Sequence, residues 1–267
     1  MTTAIQAFSK QARQFDRLND MNCINSYCRN VIYKTAEKFL VKNDSILELN
    51  CGTGIDAIYF SKNHSVTATD GALGMVNILR DKIEENAISN IEVRQLPFEN
   101  LYQIKDKKYD FIFSNFGGLN CTSQLNNVLK QLPALLNENG KIMLVIMPPV
   151  SIWEHLHIFS LNFKVAFRRW RKDGAEASVE NVTFRSYYYS AKYIIKNLQP
   201  EMNILHMQGL CNIMPPEFMH HYLTNKPKLR KWLGKADSFL GGYFPFTQIG
   251  DYCIIVMRKK TCNEHQL

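Results

Sequence analysis

The chain has 267 residues, of which 46% are apolar and 21% charged. Those values suit one globular core with elaborations and exclude a fibre, a solenoid or a largely disordered chain. A formal charge of +8 favours an anionic partner without specifying any chemistry.

Residues 4–40 place Ile24, Tyr27, Cys28, Val31 and Ile32 at intervals of three and four, which predicts an N-terminal helical layer, assigned to residues 1–44 as a lid. Next come "SILELN" as a strand, "GIDAIYFSK" as a helix, "SVTATD" as a strand and "GALGMVNILRDKIEEN" as a helix. Glycine or a polar cluster marks each change. "IEVRQL" and "YDFIFSN" read as further strands, "CTSQLNNVLKQLPALL" as a helix and "GKIMLVIM" as the fifth strand. Strands alternating with helices predict an α/β protein built on a doubly wound, mainly parallel sheet, with residues 45–150 as the cofactor-binding half.

After Pro148 and Pro149 the alternation lapses. Ser151 to Val179 reads as a mostly helical insertion, within a cap that returns to the core by residue 198. "VTFRSYYYS" then reads as a strand, "AKYIIKNL" as a helix and "EMNILHMQGL" as a core strand. Residues 199–267 hold the last strands, with a second helical lid from Pro215 to Gly242 before "GDYCIIVMRKK". The whole is expected to form a single domain of 267 residues interrupted by lids.

The longest apolar run, Ile142–Met147, is too short for a membrane-spanning helix. "MTTAIQAFSKQARQFD" has no apolar signal stretch, which predicts a cytoplasmic location. Seven cysteines, an odd number with no Cys-x-x-Cys pair, argue against a disulfide framework and a structural zinc. Cys51, Cys121, Cys211 and Cys253 read as small buried apolar residues.

The strongest chemical signal is "ILELNCGTGIDA". Gly52 and Gly54 at a strand-to-helix turn let the backbone approach a ligand and leave free N–H groups facing it. "GTGIDA" also meets the loose Gly-x-Gly-x-x-Ala pattern, so the loop alone does not separate a nicotinamide dinucleotide from S-adenosylmethionine. Its neighbours do more. Glu48, inside the strand, is poorly placed for a pyrophosphate and suits a ligand with an ammonium group. Asp70, ending "SVTAT", is placed to accept two ribose hydroxyls.

With "VTATDGALGMV", "YDFIFSNFGGLN" and "LLNENGKIMLVIM", the chain resembles a class I S-adenosylmethionine-dependent methyltransferase of the small-molecule type over most of its length. The resemblance implies a seven-stranded, Rossmann-like sheet ending in a reversed strand pair. It implies S-adenosyl-L-methionine as cofactor and no metal. Its cofactor-binding set comprises Phe15, Glu48, Asn50, Cys51, Gly52, Gly54, Asp70, Gly71, Pro97, Phe98, Asn115 and Phe116. Glu48, Gly52 and Gly54 would surround the methionine part, Asp70 the ribose, and Asn115 to Gly117 the methyl-transfer site. Phe8 and Phe15 would cover the cofactor. Two departures stand out: Asn50 replaces the family's first glycine, which implies an unusual backbone angle that Asn tolerates, and "VRQLPFENL" lacks the usual acid near the adenine. Leu96, Pro97 and Phe98 would take over that contact.

Methyl transfer needs alignment and exclusion of water, with a base if the acceptor is a hydroxyl. His155, His157 and Tyr188 are the candidates, read against helix or strand packing as the plainer alternative, and His220 and His221 carry the same alternative. Glu154 reads as a solvated charge. "KVAFRRWRKDG" reads either as a solvated helix face or as a contact for a phosphate, carboxylate or carrier protein. The expected function is methyl transfer to a small, apolar or aromatic acceptor, acidic or carrier-linked, at oxygen. A nucleic-acid partner is not expected, because "SNFGGLN" lacks the Asn/Asp-Pro-Pro-aromatic pattern. An NAD(P)-dependent oxidoreductase and a non-catalytic nucleoside-binding subunit are the alternatives.

Overall fold

The computed structural model describes residues 2–261. Two helices open the chain, α1 (Thr2–Asp20) and α2 (Cys23–Glu37). Asn22 separates them because its side chain accepts from Ile24 N at 3.0 Å and Asn25 N at 3.2 Å, the N-cap geometry that starts a new helix. The wound half follows as β1 (Ser45–Leu49), α3 (Ile55–Ser61), β2 (Ser65–Asp70), α4 (Leu73–Glu85), β3 (Ile91–Gln95), β4 (Tyr109–Ser114), α5 (Leu125–Leu129) and β5 (Leu136–Ile146). After it come α6 (Ile152–His155), α7 (Phe163–Ala166), β6 (Ala175–Val179), β7 (Val182–Ser186), α8 (Ala191–Leu198), β8 (Met202–Leu210), α9 (Pro227–Leu240) and β9 (Tyr252–Lys259).

Seven strands form one sheet in the order β3-β2-β1-β4-β5-β9-β8. Every pairing is parallel except the two made by β9, so the reversed terminal pair implied by the resemblance is present. Strand alternation sends Leu47, Leu49, Ile112, Ile142 and Leu144 to one face, against Val128, Leu129, Ile194 and Leu198 of α5 and α8. Ile46, Phe111, Phe113, Met143 and Val145 go to the other, against Ile24, Cys28 and Ile32 of α2 and Leu79 of α4. Both faces are thereby dry, as a parallel sheet requires.

Two expectations on local structure are corrected. "CTSQLNNVLKQLPALL" is not one helix: 3-10 turns at Gly118–Cys121 and Pro133–Leu135 flank the short α5. Thr122 Oγ1 accepts from Gln124 N at 3.1 Å, holding the polar start as a turn, and Pro133 has no N–H to continue a helix. The insertion is also not helical to its end, because β6 pairs antiparallel with β7 in a separate two-stranded sheet. Its two-residue turn has Glu180 at φ 49° and Asn181 at φ 59°, the left-handed pair that closes a tight hairpin.

Unlike α2–α5 and α8, α1 belongs to neither face. It packs on α4 and on the β6–β7 hairpin, through Ala12 and Phe15 against Ala72 and Met75 and through Ala4, Ala7 and Phe8 against Phe184. That placement brings α1 across the carboxyl end of β2, where the glycine loop also lies.

Candidate functional site

The loop between β1 and α3 is left-handed at three positions: Asn50 (φ 50°), Gly52 (φ 55°) and Gly54 (φ 82°). Asn50 therefore adopts the backbone angle expected of it. Its side chain explains why the departure from glycine is tolerated: it accepts from Ser114 Oγ at 2.6 Å and donates to Asn115 O at 3.0 Å, tying the ends of β1 and β4 together. The space it fills is borrowed from Gly118, where a Cβ would lie 2.3 Å from Asn50 Cγ. The pair yields a first prediction. Gly118→Ala should cost about 1–3 kcal/mol through this clash, and Asn50→Gly in the same chain should recover more than about 1 kcal/mol of that loss. Urea unfolding of both single variants and the double variant would measure the coupling, and strict additivity would refute it.

Asp70, at the end of β2, organises the loop from below. Its carboxylate accepts from Gly52 N at 2.9 Å and Ala72 N at 2.8 Å, so one side chain fixes both the glycine turn and the start of α4. Burial raises its carboxyl pKa against the opposing pull of the N–H groups of Ala72, Gly52 and Gly71. Cys51 hydrogen-bonds through its N–H to Thr69 O at 2.9 Å, and burial pushes its thiol well up, as befits an inert packing residue.

Glu48 is 1% exposed, and its Oε2 has no hydrogen-bond partner. Burial raises its carboxyl well above the usual range; the Arg29 cation opposes this and the Asp70 charge adds to it. A buried, unpartnered carboxylate oxygen beside a left-handed glycine turn fits a ligand with a cationic amino-acid end. Around it stands a network that the sequence reading did not find. Arg29 of α2 pairs with Asp56 of α3, and the same Asp56 carboxylate accepts from Tyr33 Oη at 2.6 Å and from Asn115 Nδ2 at 2.8 Å. Arg29 also reaches Asn19 Oδ1 at 3.1 Å and covers the Phe116 ring at 4.7 Å. Arg29 and Tyr33 are four residues apart and so share one helix face. That spacing was legible, but nothing local says that α3 meets this face.

The other cofactor candidates divide. Phe15 does lie over the loop, its Cε1 3.9 Å from where a Gly52 Cβ would be. Ser9 Oγ accepts from Gly74 N at 2.8 Å, and Asp16 takes Thr53 Oγ1 and Lys82. Gly71 sits beneath Ile5, with Pro97 Cα 3.6 Å from the position of its absent Cβ. Phe98 packs against the core cluster that holds Leu96 and Leu101, and Phe8 faces Phe184 at 5.7 Å while also packing, with Ile5 and Phe15, on the cluster of Ala12, Ala72 and Met75.

On the catalytic side, His155 is set among packed side chains, with its Nε2 buried and without a hydrogen-bond partner. Its Nδ1 is 2.7 Å from Ser151 O and its ring lies against Phe167 and Trp170. His157, half-buried, belongs to the 3-10 turn after α6. His220 and His221 lie in the turn Glu217–Tyr222, where His220 O accepts from Cys23. Tyr188 alone lines a cleft, a cavity of about 520 Å³ that it shares with Tyr187, Tyr189, Pro149, Arg171 and Lys172. Buried Asn120 holds that tyrosine run in place. It donates to Met147 O at 2.9 Å and to Tyr187 O, and accepts from Tyr187 N through its own carbonyl at 2.7 Å.

The basic segment is corrected most. Glu154 is not solvated but 3% exposed, gripped by Arg168 at 2.6 and 2.8 Å and by Arg169 at 2.8 Å. Arg169 is itself 4% exposed and also pairs with Asp251. Two of the five cations thus brace the cap, while Arg171 and Lys172 stay exposed at the cleft.

Residues 46–140 match the family model described as a methyltransferase domain. A ribosomal protein L11 methyltransferase from Thermosipho melanesiensis is 32% identical over 129 residues, 46% of each chain. A malonyl-[acyl-carrier protein] O-methyltransferase from Priestia megaterium is 26% identical over 51% of this chain and 48% of its own. The chain spans about half the length of these curated relatives. Among solved structures, a SAM-dependent methyltransferase from Methanosarcina mazei superposes with a TM-score of 0.55 at 14% identity, covering 84% of this chain and 96% of that one, a likeness of fold.

Proposed function

We propose, from the premise that the chain belongs to the class I S-adenosylmethionine-dependent methyltransferases, that it methylates an oxygen of a small anionic acceptor seated in the tyrosine cleft. The observation that carries the cofactor half is the unpartnered buried oxygen of Glu48 beside the loop fixed by Asp70. Bound S-adenosylmethionine supplies an electrophilic methyl group on a sulfonium. This chain would hold it with Glu48, Gly52, Gly54 and Asp70. Phe15 on α1 excludes water from above, while Asn115 and Phe116, fixed by Asp56 and Arg29, border the reacting end. Tyr187 and Tyr188 give the acceptor ring faces and hydroxyls, and Arg171 and Lys172 give its anion a counter-charge. The Priestia megaterium relative, a malonyl-[acyl-carrier protein] O-methyltransferase, supports an anionic acceptor.

Calorimetric titration with S-adenosylmethionine, S-adenosylhomocysteine and nicotinamide dinucleotides tests the cofactor. The first two should bind and the dinucleotides should not. The proton balance tests Glu48. Its folded pKa is raised, so below that value the free protein holds a proton there; an ammonium beside Oε2 lowers the pKa and expels it. Binding should therefore release a proton, less so as pH rises, and Glu48→Gln should abolish the release. Equal proton counts for the two proteins would remove Glu48 from the site. For the acceptor, Arg171→Ala with Lys172→Ala should raise KM for an anionic substrate about tenfold or more with kcat and S-adenosylhomocysteine affinity retained. An unchanged KM at low salt would place the anion elsewhere.

A further inference from the structure

The outward face of α9 is built from two residue types. Lys228, Trp232, Lys235 and Phe239 follow at intervals of four, three and four, which places them in one stripe along the helix. All four are exposed, Trp232 by 64% and Phe239 by 65%. The opposite side is committed to the fold: Gly234 packs on Tyr27, and buried Asp237 accepts from Tyr27 Oη at 2.9 Å, Cys211 N at 2.9 Å and Ile213 N at 2.7 Å. The stripe therefore cannot rotate inward to hide its rings.

A second set stands at the same end of the sheet. The segment after β5 and the segment between β8 and β9 both leave from the carboxyl edge, since β5 and β8 run in the same direction. They are tied together there by Arg169 with Asp251 and by Gly250 N with Val150 O at 3.2 Å. The first segment exposes Phe159 by 87%, Leu161 by 76% and Phe163 by 52%, followed directly by Lys164.

From this arrangement we infer that the carboxyl end of the molecule docks on an anionic lipid surface, with α9 lying in the headgroup layer and the Phe159–Phe163 turn dipping beside it. The choice of occupant follows from shape and charge. Aromatic rings interleaved with lysines on one helix face match an interface in which apolar groups enter the acyl boundary and cations meet lipid phosphates. Trp232, Phe239, Phe159 and Leu161 are exposed beside lysines at one end of the sheet, and none of them lines either described cavity. No helix of the described residues is long and apolar enough to cross a membrane, so the contact is a surface one. The inference is independent of the reaction proposed above.

Vesicle sedimentation with the full chain decides it. The protein should sediment with vesicles containing about 30% phosphatidylserine at least tenfold more than with pure phosphatidylcholine, and about 1 M salt should release it. Trp232→Ser with Phe239→Ser, both exposed, should keep the wild-type Tm and lose at least about tenfold in vesicle affinity. Lys228→Gln with Lys235→Gln should reduce the preference for phosphatidylserine, and Phe159→Ser with Leu161→Ser should weaken binding to both lipids. Failure to bind anionic vesicles, equal binding to neutral ones, or wild-type binding by the Trp232/Phe239 variant would overturn the inference. Capture by an acidic carrier protein with vesicles ignored would overturn it in favour of a protein partner.

Discussion

Asp70→Ala should lower the affinity for S-adenosylhomocysteine by about a hundredfold or more, the expected loss of the two charge-assisted hydrogen bonds to ribose proposed for it, at about 1.5–3 kcal/mol each. The structure adds a second cost. The same carboxylate holds Gly52 N and Ala72 N, so its removal frees the glycine turn and the first turn of α4 together. Asp70→Asn retains one good acceptor and should lie between the two. Calorimetry on folded protein separates these effects from global unfolding, because the hydrophobic sheet beneath the loop remains intact. Wild-type affinity in Asp70→Ala would remove the ribose from this end of β2 and with it the orientation of the whole ligand.

Arg169→Ala should destabilise the fold by about 3–5 kcal/mol, the range for breaking a buried ion pair by deleting one partner. Asp251 would be left buried without its cation, and Glu154 would keep only Arg168. Arg168 is 41% exposed at its side chain, and its removal should cost about 1 kcal/mol or less. Acid should reach the same cluster. Burial raises the Glu154 carboxyl, but hydrogen bonds from Arg168 and Arg169 outweigh it and set the folded pKa below the usual 4.5. The stabilisation is therefore present above pH 4.5 and lost as pH falls through the depressed value. Urea unfolding of both variants at neutral and acid pH would show it. Equal, small losses for Arg168→Ala and Arg169→Ala would return the segment to a solvated surface.

The contrast between these two residues shows what a sequence carries and what it withholds. Strand and helix periods, and glycines at one turn, are local signals, so the wound sheet and the glycine loop were readable, and the resemblance pointed to an unusual backbone angle at Asn50. Arg169 could not be read as buried, because the aspartate that neutralises it is 82 residues away and adjacent arginines ordinarily face water. Arg29, Asp56 and Tyr33 were hidden for the same reason: their meeting depends on how α2 is laid against α3. The β6–β7 hairpin was missed because Glu180–Asn181 closes it without glycine. His155 was named from its position after β5, a topological cue that says nothing about which way a ring turns.

The stripe Ile5, Ser9, Ala12 and Asp16 of α1 advances by four, three and four residues and touches Gly71, Gly74, Met75 and Thr53 in turn. One helix is thus fastened at successive points along the rim of the glycine loop, and its register fixes where Phe15 lies over Gly52.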